Sequence, residues 1–152
     1  MRAVIQRTMR NADVSVNGIK VSEIEKGLIV YLGIGKEDNK EDLDWLAKKI
    51  VNLRIFNDSE GKMNISLKEI KGQILLISQF TLFADIKKGN RPSYIRSADP
   101  ELAVEMYEQF AKILTEDHGI KPQMGVFGAE MKVYYINDGP VTIFIDSKQK
   151  SL

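Results

Sequence analysis

The chain has 152 residues, 43% of them hydrophobic, and its 22 basic and 21 acidic residues leave a net charge of +1. A chain of this length hides roughly 68–70% of its unfolded surface in one core, so a single domain over residues 1–152 is expected. The charge balance excludes the general positive field of a histone-like RNA binder, and the absence of cysteine excludes disulfides, a thiolate nucleophile and a cysteine-type zinc site.

The first ten residues alternate charge with short apolar pairs, unlike a signal peptide, and no run approaches the ~20 apolar residues of a membrane span. We therefore expect a cytoplasmic protein with no membrane partner.

Residues 2–7 predict a strand. Residues 12–16 and 19–24 predict a hairpin around Asn17-Gly18, a dipeptide suited to the positive φ of a type I′ turn.

The middle of the chain alternates strand and helix patterns. Continuous apolar character over residues 28–34 predicts a central strand that is covered on both faces. From Asn39 onward, apolar residues recur at helical spacing, and Asn39 and Asp42 are placed as a capping box. The apolar positions of this helix are Leu43, Leu46, Ala47, Ile50 and Val51. Residues 57–61 predict a turn, and the very apolar segment 73–83 predicts another strand.

The last third begins with a long basic loop over residues 84–97, and loops of this length in compact domains are often functional. Asp99 as N-cap and Pro100 as the first helical residue start a helix that ends near Gly119. The apolar residues that fall on one face of this helix, and that we expect to be buried, are Ala103, Met106, Tyr107, Phe110 and Leu114.

Two more strands are predicted, over residues 131–136 and 141–146, with Asn137-Asp138-Gly139-Pro140 between them. Residues 147–152 are expected to form a polar tail. Strands outnumber helices, and sheet segments interrupt the helices, so the expected fold is an α/β domain of layered sheet and helix.

Conventional catalytic groups are scarce. His118 is the only histidine, and it lies beside Gly119 at a predicted helix end. The helix dipole favours a cation there, so we prefer a role for His118 in stabilising the helix end to a role in a catalytic triad. It has no histidine or cysteine companion at ligand spacing, so we expect no metal. The glycine pairs at 33/35 and 125/128 do not complete a phosphate-binding pattern, so we expect no nucleotide cofactor and assign them to turns or close packing.

Two short segments remain as candidates for chemistry. Ser78, Gln79 and Thr81 interrupt an apolar strand end and would bring hydroxyls, an amide and backbone N–H groups to the edge of the core. Taken alone, a strand that emerges at the surface explains them equally well. Asp138-Gly139 alone is an ordinary hairpin turn, and because only ≈ 5–6% of X–Pro bonds in folded proteins are cis, a trans Gly139-Pro140 bond is the default.

Together, Ser78-Gln79-Phe80-Thr81-Leu82 and Asn137-Asp138-Gly139-Pro140-Val141-Thr142 resemble the SQxTL and NxGPxT motifs of the bacterial and eukaryotic D-aminoacyl-tRNA deacylases. The resemblance extends over the full length, including residues 1–7, 88–94 and 125–131. Neither motif departs from the family pattern. Tyr94 stands where phenylalanine is expected, which is a conservative change.

The resemblance implies an enzyme that removes D-amino acids from mischarged tRNA by ester hydrolysis, without cofactor or metal. It also implies a homodimer in which a cis Gly139-Pro140 peptide enters the active site of the other subunit. The two carbonyls would hold the substrate ammonium group, and an L-residue would drive its Cβ into backbone. Many D-aminoacyl groups would be accepted, and glycyl-tRNA with them, because glycine has no Cβ.

The catalytic residues implied by the family are Ser78, Gln79, Phe80 and Thr81, with backbone N–H groups around Gln79 and Phe80 stabilising the oxyanion. One hypothesis makes the Thr81 hydroxyl a nucleophile. No base to activate it is evident, so we prefer a water assisted by a ribose hydroxyl of the terminal adenosine.

Contacts with tRNA are implied at two places. Phe127, Ala129 and Met131 would hold the terminal adenosine, although core packing explains Phe127 and Met131 almost equally well. The exposed charges of the basic loop would meet phosphates. These charges are Lys87, Lys88 and Arg91.

Two other functions fit the same residues. A conventional esterase would use Ser78 or Thr81 on a small ester, and would hydrolyse free D-amino acid esters as fast as charged tRNA. A non-catalytic RNA-binding or dimerisation module would use Gly139-Pro140 only to close a hairpin, with tRNA binding but no turnover and a trans peptide bond.

Overall fold

The computed structural model describes residues 1–150, so residues 151 and 152 of the predicted polar tail lie outside the described residues. The helices are α1 (Lys40–Asn52) and α2 (Pro100–Glu116), with a 3-10 helix at Phe80–Phe83. The strands are β1 (Arg2–Thr8), β2 (Ala12–Val16), β3 (Ile19–Ile24), β4 (Gly27–Gly33), β5 (Phe56–Asn57), β6 (Met63–Ile65), β7 (Gln73–Ser78), β8 (Gln123–Met124), β9 (Met131–Tyr134) and β10 (Thr142–Asp146). Neither α-helix within this part of the chain has the length and apolarity to cross a membrane.

The strands form a five-stranded sheet in the order β10-β1-β4-β7-β8, a three-stranded sheet in the order β3-β2-β9, and the small pair β5-β6. Strand β1 runs antiparallel to β10 and β4, whereas β4, β7 and β8 are parallel. Apolar residues of α1 and α2 share one core with the larger sheet, and the smaller sheet shares a second core with it. The layered α/β fold expected from the sequence is therefore confirmed.

Strand β4 is central, as its continuous apolar run predicts. Leu28, Val30 and Leu32 belong to the helix-side core, and Ile29 belongs to the core between the sheets. Helix α1 begins with the predicted capping box: the Asn39 side chain accepts from the Glu41 and Asp42 N–H groups, and Asp42 accepts from the Asn39 N–H at 3.0 Å. Asp99 is the N-cap of α2, but its side chain makes no capping hydrogen bond.

Two expectations are wrong. The strand predicted over residues 73–83 ends at Ser78, because the chain turns there and the Leu82 N–H donates to the Gln79 carbonyl at 3.3 Å. Residues 137–140 do not close a hairpin, because β9 pairs with β2 and β10 pairs with β1. This segment carries the chain from one sheet to the other. Its Gly139-Pro140 bond is cis, as the family resemblance implies and unlike the trans default for the dipeptide taken alone.

Candidate active site

The polar segment after β7 lies where two parallel strands end together, because Ser78 is in register with Leu32 near the end of β4. The next residue of β4 is Gly33, which allows the backbone of Gln79 to approach β4 closely. A Cβ at position 33 would lie 2.9 Å from the Gln79 carbonyl oxygen. A Cβ at Gly35 would lie 2.7 Å from the Phe83 ring. This first glycine pair therefore serves close packing, as predicted, and lets the chain turn sharply out of the sheet.

Two cavities flank the turn. One of about 500 Å³ opens on the helix side of the large sheet, and one of about 230 Å³ opens between the two sheets. Ser78, Gln79, Phe80 and Gly128 line both. The Phe80 side chain is 57% exposed, and its ring meets Tyr94 edge-on with 5.0 Å between centroids.

The residues assigned to adenosine divide between these cavities. Ala129 and Met131 line the smaller one, beside Tyr31, and Phe127 lines the larger one. Burial raises the pKa of the Tyr31 phenol, and a hydrogen bond with Tyr135 adds to the shift. The Tyr31 hydroxyl therefore stays protonated at neutral pH.

The backbone donors of the turn differ from the expectation in one respect. The Gln79 N–H donates to the Leu32 carbonyl at 2.8 Å, so it is engaged within the sheet and the prediction that it faces an oxyanion is wrong. The N–H groups of Phe80 and Thr81 donate to no protein acceptor within residues 1–150. The Gln79 side-chain amide donates to Thr81 Oγ1 at 2.5 Å.

His118 is remote from this turn. It shares a surface depression with Gln73, at the opposite end of β7 from Ser78, roughly 16 Å away along a strand of this length. Burial lowers the pKa of His118, and Lys68 at 3.3 Å lowers it further. The lowered pKa disfavours the expected charge at the helix end, while the distance from the turn is consistent with the non-catalytic assignment. The described residues contain no group of three or more side chains able to hold a metal.

The second motif forms an exposed loop anchored by Arg7, whose side chain is 8% exposed. Arg7 Nε donates to the Asp138 carbonyl at 3.0 Å, and Nη1 donates to the Ile55 carbonyl at 2.7 Å. At Gly139, φ is +132° and a Cβ would lie 2.7 Å from Val141 Cγ2 and 3.0 Å from Arg7 Nη2. The loop therefore requires glycine at this position and a buried arginine beneath it.

Sequence reasoning missed Arg7, although a signal exists. Arg7 is in phase with Ala3 and Ile5, both fully buried, so the alternation of β1 places a charge on the inward face. A buried charge needs hydrogen-bond partners, and here they are backbone carbonyls of the loop and of residue 55.

The two motifs lie at opposite ends of the large sheet. Arg7 is in register with Leu28, and Leu28 with Ile74, which is four residues before Ser78. That separation is about 13 Å along the strands. Neither Gly139 nor Pro140 lines either cavity beside Ser78.

The basic loop stands apart from both cavities. Its base is closed by mutual backbone hydrogen bonds between Asp85 and Ser93, of 2.8 and 2.9 Å. Lys87, Lys88 and Arg91 are exposed, and none of them lines a cavity beside Ser78. Lys36 is the basic residue that lines the larger cavity, and no pattern in the sequence singles it out.

Comparisons with known proteins agree with the motif resemblance. A family model described as D-Tyr-tRNA(Tyr) deacylase matches residues 4–146. The D-aminoacyl-tRNA deacylase of Thermosipho africanus is 54% identical over 98% of this chain and 99% of its own length, and that of Bacteroides fragilis is 55% identical over 99% of both.

Two solved structures are similar. The c-Myc DNA Unwinding Element Binding Protein is 39% identical, with a TM-score of 0.90 over 96% of this chain and 98% of its own. A probable eukaryotic D-amino acid tRNA deacylase has a TM-score of 0.78 at 17% identity, which bears on the fold alone. Because the family model spans residues 4–146 and relatives are more than half identical along nearly the whole chain, this protein belongs to the D-aminoacyl-tRNA deacylase family of ester hydrolases.

Proposed function

We propose that this protein hydrolyses the ester bond of D-aminoacyl-tRNA and releases the free D-amino acid and the tRNA. The observation that carries the proposal is the pair of free backbone N–H groups at Phe80 and Thr81, placed between two cavities. Donors of this kind stabilise the negative charge that develops on an ester oxygen during hydrolysis. In this chain they belong to one of the two motifs that mark the family.

In the proposed reaction, water adds to the ester carbonyl carbon while the carbonyl oxygen faces the two N–H groups. The bond to the ribose oxygen then breaks, and that oxygen takes a proton. Thr81 is a poor nucleophile, because its hydroxyl accepts from the Gln79 amide and no histidine is near it. The neighbouring ribose hydroxyl of the terminal adenosine is therefore the group that assists the water.

Chiral selection belongs to the Gly139-Pro140 loop, and the geometry favours a homodimer. The ammonium and the ester carbonyl of one substrate are two bonds apart, whereas the two motifs of one chain are about 13 Å apart along the sheet. A second copy supplies the loop if its sheet ends near this turn. Large side chains lie exposed near that loop, including Phe144 at 52% and Tyr134 at 72% on the edge strands β10 and β9, and such surfaces mark contacts with other proteins.

In this arrangement the partner's loop accepts the substrate ammonium on backbone carbonyls and leaves no room for the Cβ of an L-residue. Glycyl-tRNA is accepted, because glycine has no Cβ. Ala129 and Met131 hold the adenosine in the smaller cavity, with Phe127 on the far side of Gly128. Lys87, Lys88 and Arg91 meet tRNA phosphates, and a tRNA substrate places the enzyme in the cytoplasm.

The test compares matched D- and L-aminoacyl-tRNA with wild type, Phe80→Pro and Phe80→Ala. Proline removes the free N–H of residue 80, and it is tolerated at the first position of a helical turn. We expect D-selective hydrolysis by wild type, and a loss of about 10²–10³-fold in kcat for Phe80→Pro relative to Phe80→Ala. Equal hydrolysis of both mirror forms would refute the proposal.

The esterase alternative has its own control. Free D-amino acid esters, offered at the same concentration, should be hydrolysed far more slowly than charged tRNA, because they lack the adenosine and the assisting ribose hydroxyl. Equal rates would favour a small-molecule esterase. Binding of tRNA with no turnover would favour an RNA-binding module.

A further inference from the structure

In the proposed function the terminal adenosine occupies the smaller cavity, which leaves most of the larger one for another part of the substrate. The volume of the larger cavity, about 500 Å³, is in the range of roughly 300–1,000 Å³ typical of ligand sites. Aromatic rings of Phe80, Tyr94 and Phe127 form part of its wall. It shares Phe80 and Gly128 with the smaller cavity, so a chain-like substrate can continue from one into the other.

Polar groups in this cavity are left without partners inside the protein. Ser97 is 9% exposed and lines this cavity, and its hydroxyl makes no hydrogen bond within residues 1–150; it is not among the fully enclosed polar atoms and stays open to the cavity. Asp99 and Lys36 are exposed at the mouth of the cavity; the Asp99 side chain makes no capping bond on α2, and neither residue forms an ion pair with another described residue. The Ser97 hydroxyl, the Asp99 carboxylate and the Lys36 ammonium are therefore available to a polar ligand in a cavity whose other walls include several apolar and aromatic side chains.

We propose that this cavity binds the base of the penultimate cytidine of the tRNA CCA end. The assignment rests on the proposed function, because it places the terminal adenosine in the smaller cavity and the preceding nucleotide across Phe80. Unstacked bases bind to aromatic side chains through their faces and to polar groups through their edges. The cavity offers both kinds of contact.

The identity of the base follows from the polar groups. A carboxylate accepts from the exocyclic amino group of cytosine and repels the carbonyl oxygen that uracil has in its place, so Asp99 selects cytosine. The Ser97 hydroxyl can donate to a ring nitrogen or carbonyl of the same base. Lys36, which also borders the neighbouring depression beside Gly35, pairs with the phosphate between the two nucleotides.

The experiment uses three D-aminoacyl substrates: a minihelix ending in CCA, the same minihelix ending in CUA, and adenosine alone. Wild type should prefer the CCA minihelix over the CUA minihelix by about tenfold in kcat/KM, the discrimination typical of a good base contact. Asp99→Asn should remove most of this preference, because an amide also donates to the uracil carbonyl. Asparagine is as good an N-cap as aspartate, so α2 is preserved.

The matched control is Glu101→Gln, an exposed change in the first turn of the same helix, which should behave as wild type. On D-aminoacyl adenosine, Asp99→Asn and Ser97→Ala should both match wild type, because that substrate does not reach the larger cavity. Equal rates on CCA and CUA minihelices, or the same defect of Asp99→Asn on all three substrates, would overturn the assignment. If the proposed function itself were wrong, the result would differ from these outcomes, because the wild-type protein would hydrolyse none of the three substrates.

Discussion

Replacement of Arg7 by methionine should release the Gly139-Pro140 loop. The substitution keeps much of the buried length of the side chain but leaves the carbonyls of Asp138 and Ile55 without their donors, which lie at 3.0 and 2.7 Å. Each buried group left unpaired costs about 1–3 kcal/mol, so we expect a loss of about 3 kcal/mol in the free energy of unfolding. In a domain of this size that loss lowers Tm by about 6–12 °C.

The assay combines urea denaturation with hydrolysis of D- and L-aminoacyl-tRNA at a temperature where each variant stays folded. Because the Asp138 carbonyl is adjacent to Gly139, activity on the D-substrate should fall by about tenfold or more and rejection of the L-substrate should weaken. Arg10→Met, an exposed change three residues away, is the matched control and should alter neither quantity. If Arg7→Met lost stability but kept the wild-type ratio of D to L rates, Arg7 would only support the fold.

Three further changes test other parts of the structure. Thr81→Ala should retain much of the wild-type kcat, and complete loss of turnover in a folded protein would make the hydroxyl essential. Charge reversal at Lys87 and Lys88 should weaken tRNA binding most at low salt and flatten the dependence of log Kd on log salt; unchanged binding would remove this loop from the interface. Burial of Asp42 by itself disfavours the charged carboxylate. Hydrogen bonds to the carboxylate outweigh this effect and hold the pKa of Asp42 below its usual value; the largest contribution among them is the bond from Lys148 at 2.6 Å. The carboxylate therefore stabilises the fold above its ordinary pKa, and this stabilisation is lost as pH falls through the lowered pKa. Asp42→Asn should reduce the free energy of unfolding by about 2 kcal/mol at pH 7 and by little near pH 2. A reduction that does not depend on pH would contradict the assignment.

The sequence predicted a helix, strand or turn well where the residues that determine that element are close together in the chain. The capping box of α1 depends on Asn39 and Asp42 alone, and the hairpin at Asn17-Gly18 depends on two residues whose φ values are +50° and +77°. Strand β4 was recognisable because burial on both faces leaves a continuous apolar run. Each of these signals is contained within a few neighbouring residues.

Pairing between distant segments could not be predicted in the same way. The sequence around Asp138-Gly139 has the composition of a hairpin turn, yet β9 and β10 find their partners in β2 and β1, more than a hundred residues away. The engagement of the Gln79 N–H by Leu32 is likewise set by strand register. Only that register reveals that the two motifs of one chain lie at opposite ends of the sheet.

A mixing experiment tests most directly whether the active site is shared between subunits. Phe80→Pro disables the turn after β7, and Gly139→Val disables the loop, because a side chain at φ +132° clashes with Val141 and Arg7. Each variant alone should be inactive on D-aminoacyl-tRNA. After the two are unfolded together in equal amounts and refolded, half of the dimers are mixed and each mixed dimer has one intact site, so activity should return to roughly a quarter of wild type. A mixture as inactive as its components would contradict a site built from two chains.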